Sequence, residues 1–217
     1  MDVRISTRDP NPSMAGTGLE RLRAKGVKIT EGILEDEGKA LIRSFTTNIL
    51  QRRPHIILKW AQSRFGYSGI KGQQVWLSEP VTKVWSHSQR AVADAIMVGA
   101  RTIETDNPSL TVREYPGRSP QRVVFDPNGR LSNQYHVFNA DGISIYYFSN
   151  IENPAIDSSH IKKHILHNDA DPLIQILEVL FQNQIGILLI EGGPYLQKQF
   201  VKQNLWDESW VIHTQHD

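Results

Sequence analysis

The stretch Ile187-Leu-Leu-Ile-Glu191-Gly-Gly-Pro194 runs from an apolar segment into a carboxylate, paired glycines and a proline. It reads as a buried strand turning into a helix, with Glu191 at the carboxyl end of the strand, where α/β sheets bind their ligands. Backbone N–H groups at such a helix start lack partners and suit a phosphate, and glycines let the main chain come close to it. The plainer alternative is an ordinary turn that needs glycine for its own path, and the motif alone divides about evenly between the two.

A second strand-to-polar junction lies at Asp94-Ala-Ile-Met-Val-Gly99-Ala-Arg-Thr102, followed by Asp106-Asn-Pro-Ser-Leu110-Thr-Val-Arg113. Thr102 can cap the short helix it enters, and Asp106-Asn-Pro can close a turn through a side-chain bond; both are structural readings that compete with ligand binding. Arg113 lies where a cation could meet a substrate phosphate, against the commoner fate of a solvated arginine. Trp76 is an aromatic wall or a core tryptophan, and Arg90 an anion clamp or a helix-end cation. Lys59 stands inside the apolar run His55-Ile-Ile-Leu-Lys-Trp60. On an edge strand it turns to solvent; on a central strand it must meet a carboxylate such as Glu191, or a ligand.

Other chemistries are excluded or disfavoured. The chain has no cysteine, no H-x-E triplet and no P-C-x-x-C, so a zinc deaminase site cannot be built from it. His160, His164 and His167 are spaced so that one helix face could bring them together, but with no carboxylate at a ligand-like spacing a solvated polar turn is the better reading and no metal is expected. With 24 basic and 23 acidic residues interspersed along the chain, no footprint for nucleic acid or a membrane surface emerges, and any anion must be held locally. The polar start and the short apolar runs leave a cytoplasmic address as the default.

The elements that position these residues follow an alternation of β-type runs and helical patterns from Pro54 onward, the mark of an α/β sheet. Strands are expected at His55–Trp60, Ala95–Gly99, Arg122–Asp126, Ile143–Phe148, Gly186–Glu191 and Ser209–Thr214, with helices at Pro80–Ala91, Pro172–Gln182 and Pro194–Gln203. Before Pro54 a small unit is expected: a helix over Leu19–Lys25, a strand at Val27–Ile29, and one helix from near Glu35 that gathers Leu34, Ile42, Phe45 and Ile49 on a face. The last strand has barely begun where the chain stops, so the C-terminus reads as clipped.

Taken in order, Leu58-Lys59, Ser63, Trp76, Asp94 to Gly99, Thr102, Asp106 to Arg113, Arg122-Val-Val-Phe-Asp126 and Glu191 to Pro194 resemble the reductase half of the riboflavin-pathway deaminase/reductases. The resemblance covers Arg53 to Trp210 and implies a dihydrofolate-reductase-like, mostly parallel central sheet with helices on both faces. It further implies that Ala61, Trp76, Thr102, Asp106, Gly192, Gly193, Pro194, Tyr195 and Leu196 contact NADPH. Gln74, Arg90, Leu110, Arg113 and Glu191 would face the phosphoribosylamino-pyrimidine substrate, with Lys59 and Glu191 as the polar pair beside the reacting carbon. The implied reaction is reduction of 5-amino-6-(5-phosphoribosylamino)uracil to its ribitylamino product, in a homodimer.

Asp9-Pro-Asn-Pro, Ala15-Gly-Thr-Gly18, Leu22 to Val27 and Glu31 to Glu35 resemble the tail of the same family's deaminase domain, so residues 1–53 read as an inactive remnant and residues 54–217 as a truncated reductase domain. Three positions depart from the family pattern: Phe65 replaces an acid, and Gln74 and Pro127 replace serines. Phe65 and Gln74 keep open a reductase of another heterocycle, and the clipped ends an inactive dinucleotide-binding or oligomerisation module.

Overall fold

The computed structural model describes residues 1–14, 16–63 and 80–213. The expected Trp76 and Gln74, together with the departure at Phe65, lie outside the described residues. The chain divides into one unit of Met1–His55 with Leu180–Gly186 and another of Ile56–Val179 with Ile187–Asp217.

In the smaller unit, strands β1 (Asp2–Arg4) and β2 (Lys28–Thr30) pair in parallel, joined through helix α1 (Thr17–Ala24). The single helix expected after Glu35 is instead α2 (Glu35–Leu41) and α3 (Arg43–Gln51), separated at Ile42, whose backbone (φ −102°, ψ 12°) leaves the helical range. Thr46 Oγ1 donates to Ile42 O at 3.0 Å, and this kind of back-bonding bends helices. The expected apolar face is not the buried one either: Leu34 is 68% and Phe45 44% exposed, while Thr47 is buried and bonded to His55 Nδ1 at 3.2 Å. Gly38 packs so closely on Ser6 that a Cβ would fall 2.0 Å from the Ser6 hydroxyl, which explains a glycine inside α2.

The larger unit carries the site. Strands β3 (His55–Gln62), β4 (Ala95–Gly99), β5 (Gln121–Phe125), β6 (Ile145–Ser149), β7 (Ile161–Ile165), β8 (Ile187–Ile190) and β9 (Glu208–His213) form a seven-stranded sheet in the order β7-β6-β5-β4-β8-β3-β9. The pairs from β7 to β4, β4 with β8, and β3 with β9 are parallel. Helices α4 (Pro80–Val92), α5 (Ala100–Asp106), α6 (Pro172–Gln182) and α7 (Pro194–Lys202) connect or follow the strands. Strand β6 is buried along its whole length, as befits a parallel strand covered on both faces. Where the strand was expected to have barely begun, β9 spans six described residues and pairs with β3 from Ile57 to Gln62. Because β8 returns between β4 and β3, the carboxyl ends of these strands stand side by side.

Two strands were not expected, the short β1 and, in the larger unit, β7. Ile161-Lys-Lys-His-Ile165 is β7, an edge strand whose lysines suppress the apolar alternation that marks a strand and guard the open edge. His164 therefore belongs to no polar turn. Its ring stacks on Phe148 at 4.9 Å and on Tyr146 at 6.2 Å between centroids, and its buried Nε2 lacks a hydrogen-bond partner among the described residues. Burial, then the Lys162 charge, lowers the pKa of this imidazole. The unfolded chain thus takes up the proton first as pH falls, so stability is full above the ordinary histidine value and is lost as pH falls through it. His164→Phe, which keeps the stack, is expected to flatten the drop in the urea midpoint between about pH 7 and 5.

Candidate active site

Glu191 follows β8 directly, its backbone N–H donating to Met97 O of β4 at 3.1 Å. Its side chain is 10% exposed and makes a bidentate contact with Arg90 from the last turn of α4: Nε to Oε1 at 2.9 Å and Nη2 to Oε2 at 2.7 Å. Lys59 Nζ of β3 stands 3.7 Å from Oε2. β3 lies between β8 and β9, so Lys59 is on a central strand and meets the carboxylate that such a placement demands. Burial pushes the Glu191 carboxyl up, but the Arg90 and Lys59 charges outweigh it and hold the group well below the usual carboxylate range. The same opposition raises Arg90: burial lowers it and Glu191 more than compensates. The site holds a fixed anion between two cations, Arg90 and Lys59.

The Gly192-Gly193 turn begins beside this cluster. Gly193 N–H donates to Thr102 Oγ1 at 3.0 Å, and Gln197 Nε2 donates to Gly192 O and Lys59 O, each at 3.0 Å. Thr102 is thus inside α5, whose N-cap is Gly99, and its hydroxyl binds the neighbouring turn instead of capping its own helix. A Cβ on Gly192 would lie 2.7 Å from Leu196 Cδ2, so the turn needs this glycine for its own packing. The structural reading of the motif thus applies to Gly192, and the turn leads directly into the N-terminus of α7.

The remaining expected residues are placed as follows. Arg113 is exposed, with its backbone N–H on His87 Nδ1 at 2.9 Å and Nη1 on Thr111 Oγ1 at 3.0 Å. Thr111 O accepts from Arg90 Nη1 at 3.2 Å, which links this segment to the Glu191 cluster. Leu110 is only 3% exposed and joins the apolar core, in a left-handed conformation (φ 56°) costly for a branched side chain. Asp106 ends α5; the side-chain bond of the turn after it comes from Asn107, whose Oδ1 accepts from His136 N at 2.8 Å. Ala61 follows Lys59 on the same face of β3, Pro194 opens α7, Tyr195 is 70% exposed and Leu196 is buried under the turn.

Arg122, expected only as part of a strand, braces the loops around that strand's start. Arg122 is fully buried; its Nε donates to Ser109 O at 3.0 Å, its Nη1 to Val137 O and Asn139 O at 3.2 Å each, and its guanidinium pairs with Asp141. No spacing rule marks such a residue, since its partners are main-chain carbonyls far along the chain. Among the described residues no group of His, Asp and Glu is placed to hold a metal ion, and no helix is long and apolar enough to cross a membrane.

Comparison with known proteins places this geometry. The family described as the RibD C-terminal domain matches residues 54–214. The riboflavin biosynthesis protein RibD of Aquifex aeolicus is 33% identical over 213 residues, 97% of this chain and 60% of that protein. A diaminohydroxyphosphoribosylaminopyrimidine deaminase/5-amino-6-(5-phosphoribosylamino)uracil reductase from Thermotoga maritima superposes with TM-score 0.84 at 31% identity, covering all of this chain and 60% of that one. RibD of Acinetobacter baumannii gives TM-score 0.83 at 26% identity over all of this chain and 62% of the other. The chain thus spans about 60% of the length of these relatives.

Proposed function

We propose, from the premise that the chain belongs to the RibD C-terminal domain family, that it reduces 5-amino-6-(5-phosphoribosylamino)uracil to the ribitylamino compound with NADPH. The observation that carries the reading is the Lys59–Glu191–Arg90 cluster at the joined carboxyl ends of β3 and β8, directly beside the Gly192-Gly193 turn.

The residues present fit a nicotinamide dinucleotide. The turn and the first residues of α7 offer main-chain N–H groups and the positive helix end to a diphosphate, and Thr102 fixes the turn while its own O–H remains a donor. When bound, the reduced nicotinamide supplies the hydride. Reduction of a ribosyl to a ribityl group adds that hydride at C1′ and a proton at the oxygen released from the sugar ring. Lys59 is the proton donor, because Glu191 is held ionised and Arg90 does not deprotonate. Glu191 orients the lysine and binds the polar edge of the substrate, and Arg113 meets its phosphate. Ala61, Asp106, Tyr195 and Leu196 line the dinucleotide side.

Residues 1–53 are read as the remnant of a deaminase domain and residues 54–217 as the reductase domain, which works as a homodimer. Sedimentation equilibrium showing a monomer at assay concentration would remove that last element.

The test of the function is NADPH oxidation by the full chain with the phosphoribosylaminopyrimidine beside a pterin. Turnover with the pyrimidine alone is expected; turnover with the pterin alone transfers the protein to another heterocycle, and no turnover with either overturns the proposal. Thr102→Val keeps the shape of the side chain and loses the Gly193 contact. It is expected to weaken NADPH binding about fivefold to tenfold by fluorescence titration, the loss of about one hydrogen bond.

A further inference from the structure

The segment from Thr111 to Arg113 belongs to no helix or strand, so its main-chain groups must find partners elsewhere. They find side chains: Arg90 Nη1 donates to Thr111 O at 3.2 Å, Val112 N–H donates to Ser119 Oγ at 2.9 Å, and Arg113 N–H donates to His87 Nδ1 at 2.9 Å. His87 is 3% exposed and lies on α4, one turn before Arg90, so one helix face holds both the catalytic carboxylate and this segment. An imidazole that accepts at Nδ1 from a main-chain N–H is neutral and carries its proton on Nε2. Its surroundings agree: burial first, then the Arg90 and Arg113 cations, lower its pKa against the weaker pull of Glu114 and Glu191.

We propose that His87 is the positioning residue that sets Arg113 against the substrate's phosphate, so that α4 governs the preference for a phosphorylated over a dephosphorylated substrate. The inference rests on the functional reading above, in which Arg113 meets that phosphate. His87 touches neither substrate nor cofactor; it acts by fixing where the arginine's main chain leaves the Arg90–Glu191 cluster.

The test measures KM and kcat of the full chain for the phosphorylated pyrimidine and for its dephosphorylated counterpart, in wild type, His87→Leu, His87→Asn and Arg113→Ala. His87→Leu fills the space without an acceptor and is expected to raise KM for the phosphorylated substrate about tenfold, with a smaller change in kcat. Asparagine, whose Oδ1 stands where Nδ1 stood, is expected to restore most of the loss. With the dephosphorylated substrate, wild type and His87→Leu should agree within about twofold, and in an Arg113→Ala background the leucine should add little. Equal KM increases for both substrates, failure of the asparagine in a folded protein, or additivity with Arg113→Ala would each overturn the proposal. If wild type turns over neither substrate, the functional reading falls first and the inference with it, before any variant is compared.

Discussion

Glu191→Gln is expected to lower kcat for the phosphoribosylaminopyrimidine by about 10²–10³-fold, the loss typical of one fixed electrostatic group at a reacting centre. The amide keeps the size of the side chain and one acceptor oxygen, so substrate shape is not what changes. What changes is charge: Arg90 and Lys59, 15% exposed each, lose the anion that both face. Lys59 and Arg90 then face each other with no anion between them, so the ammonium that donates the proton is no longer held at the reacting centre. Stopped-flow measurement of NADPH oxidation at saturating substrate checks this, and a kcat within about threefold of wild type would remove Glu191 from the chemistry.

The same variant tests the linkage. The folded-state pKa of Glu191 is depressed, so its contribution to stability is complete above the unfolded carboxylate value and is lost as pH falls through the folded one. Wild type should therefore lose stability on acidification between about pH 4.5 and 2, and Glu191→Gln should show less of that loss. Its stability at neutral pH is expected to be lower, because two largely enclosed cations lose the anion they share.

Arg122→Met is expected to cost about 3–5 kcal/mol of stability, because three main-chain carbonyls lose their donor at about 1–3 kcal/mol each. The methionine fills much of the volume, but Ser109 O, Val137 O and Asn139 O lose a donor, and Asp141 loses its cation. Burial raises the Asp141 carboxyl, and the bonds to Arg122 overcome that and hold it lowered, so the pair is mutually dependent. At about 2–4 °C per kcal/mol for a unit of this size, thermal unfolding should drop by roughly 10 °C. Since Ser109 precedes the left-handed Leu110, activity at permissive temperature should fall as well, through displacement of the Thr111–Arg113 segment. A change under about 1 kcal/mol in urea unfolding would show that the network contributes little.

The larger unit's α/β pattern was legible because its strands are short apolar runs ended by glycine or polar residues, and its helices α6 and α7 open on proline, where the missing N–H costs nothing. The central pair was legible for a related reason: a lysine inside an apolar strand needs an anion, and Glu191 stands at the end of another such strand. Arg90 was visible only as a candidate; that it grips Glu191 in two places depends on β8 lying between β3 and β4, which no local pattern fixes. β7 escaped because edge lysines erase the alternation. His87 escaped, and Arg122 was legible only as part of a strand, because each serves main-chain groups well separated in sequence, a role without spacing. In the smaller unit, the break between α2 and α3 at Ile42 is a change of backbone conformation that side-chain periodicity does not report.

The most direct test of the central claim is a single-turnover reaction with NADPH carrying deuterium at the transferred position, followed by mass spectrometry of the pyrimidine product. The account predicts a ribitylamino product with one deuterium at C1′, formed by wild type and nearly absent with Glu191→Gln. Product without deuterium, or labelled product formed equally well by Glu191→Gln, would contradict it.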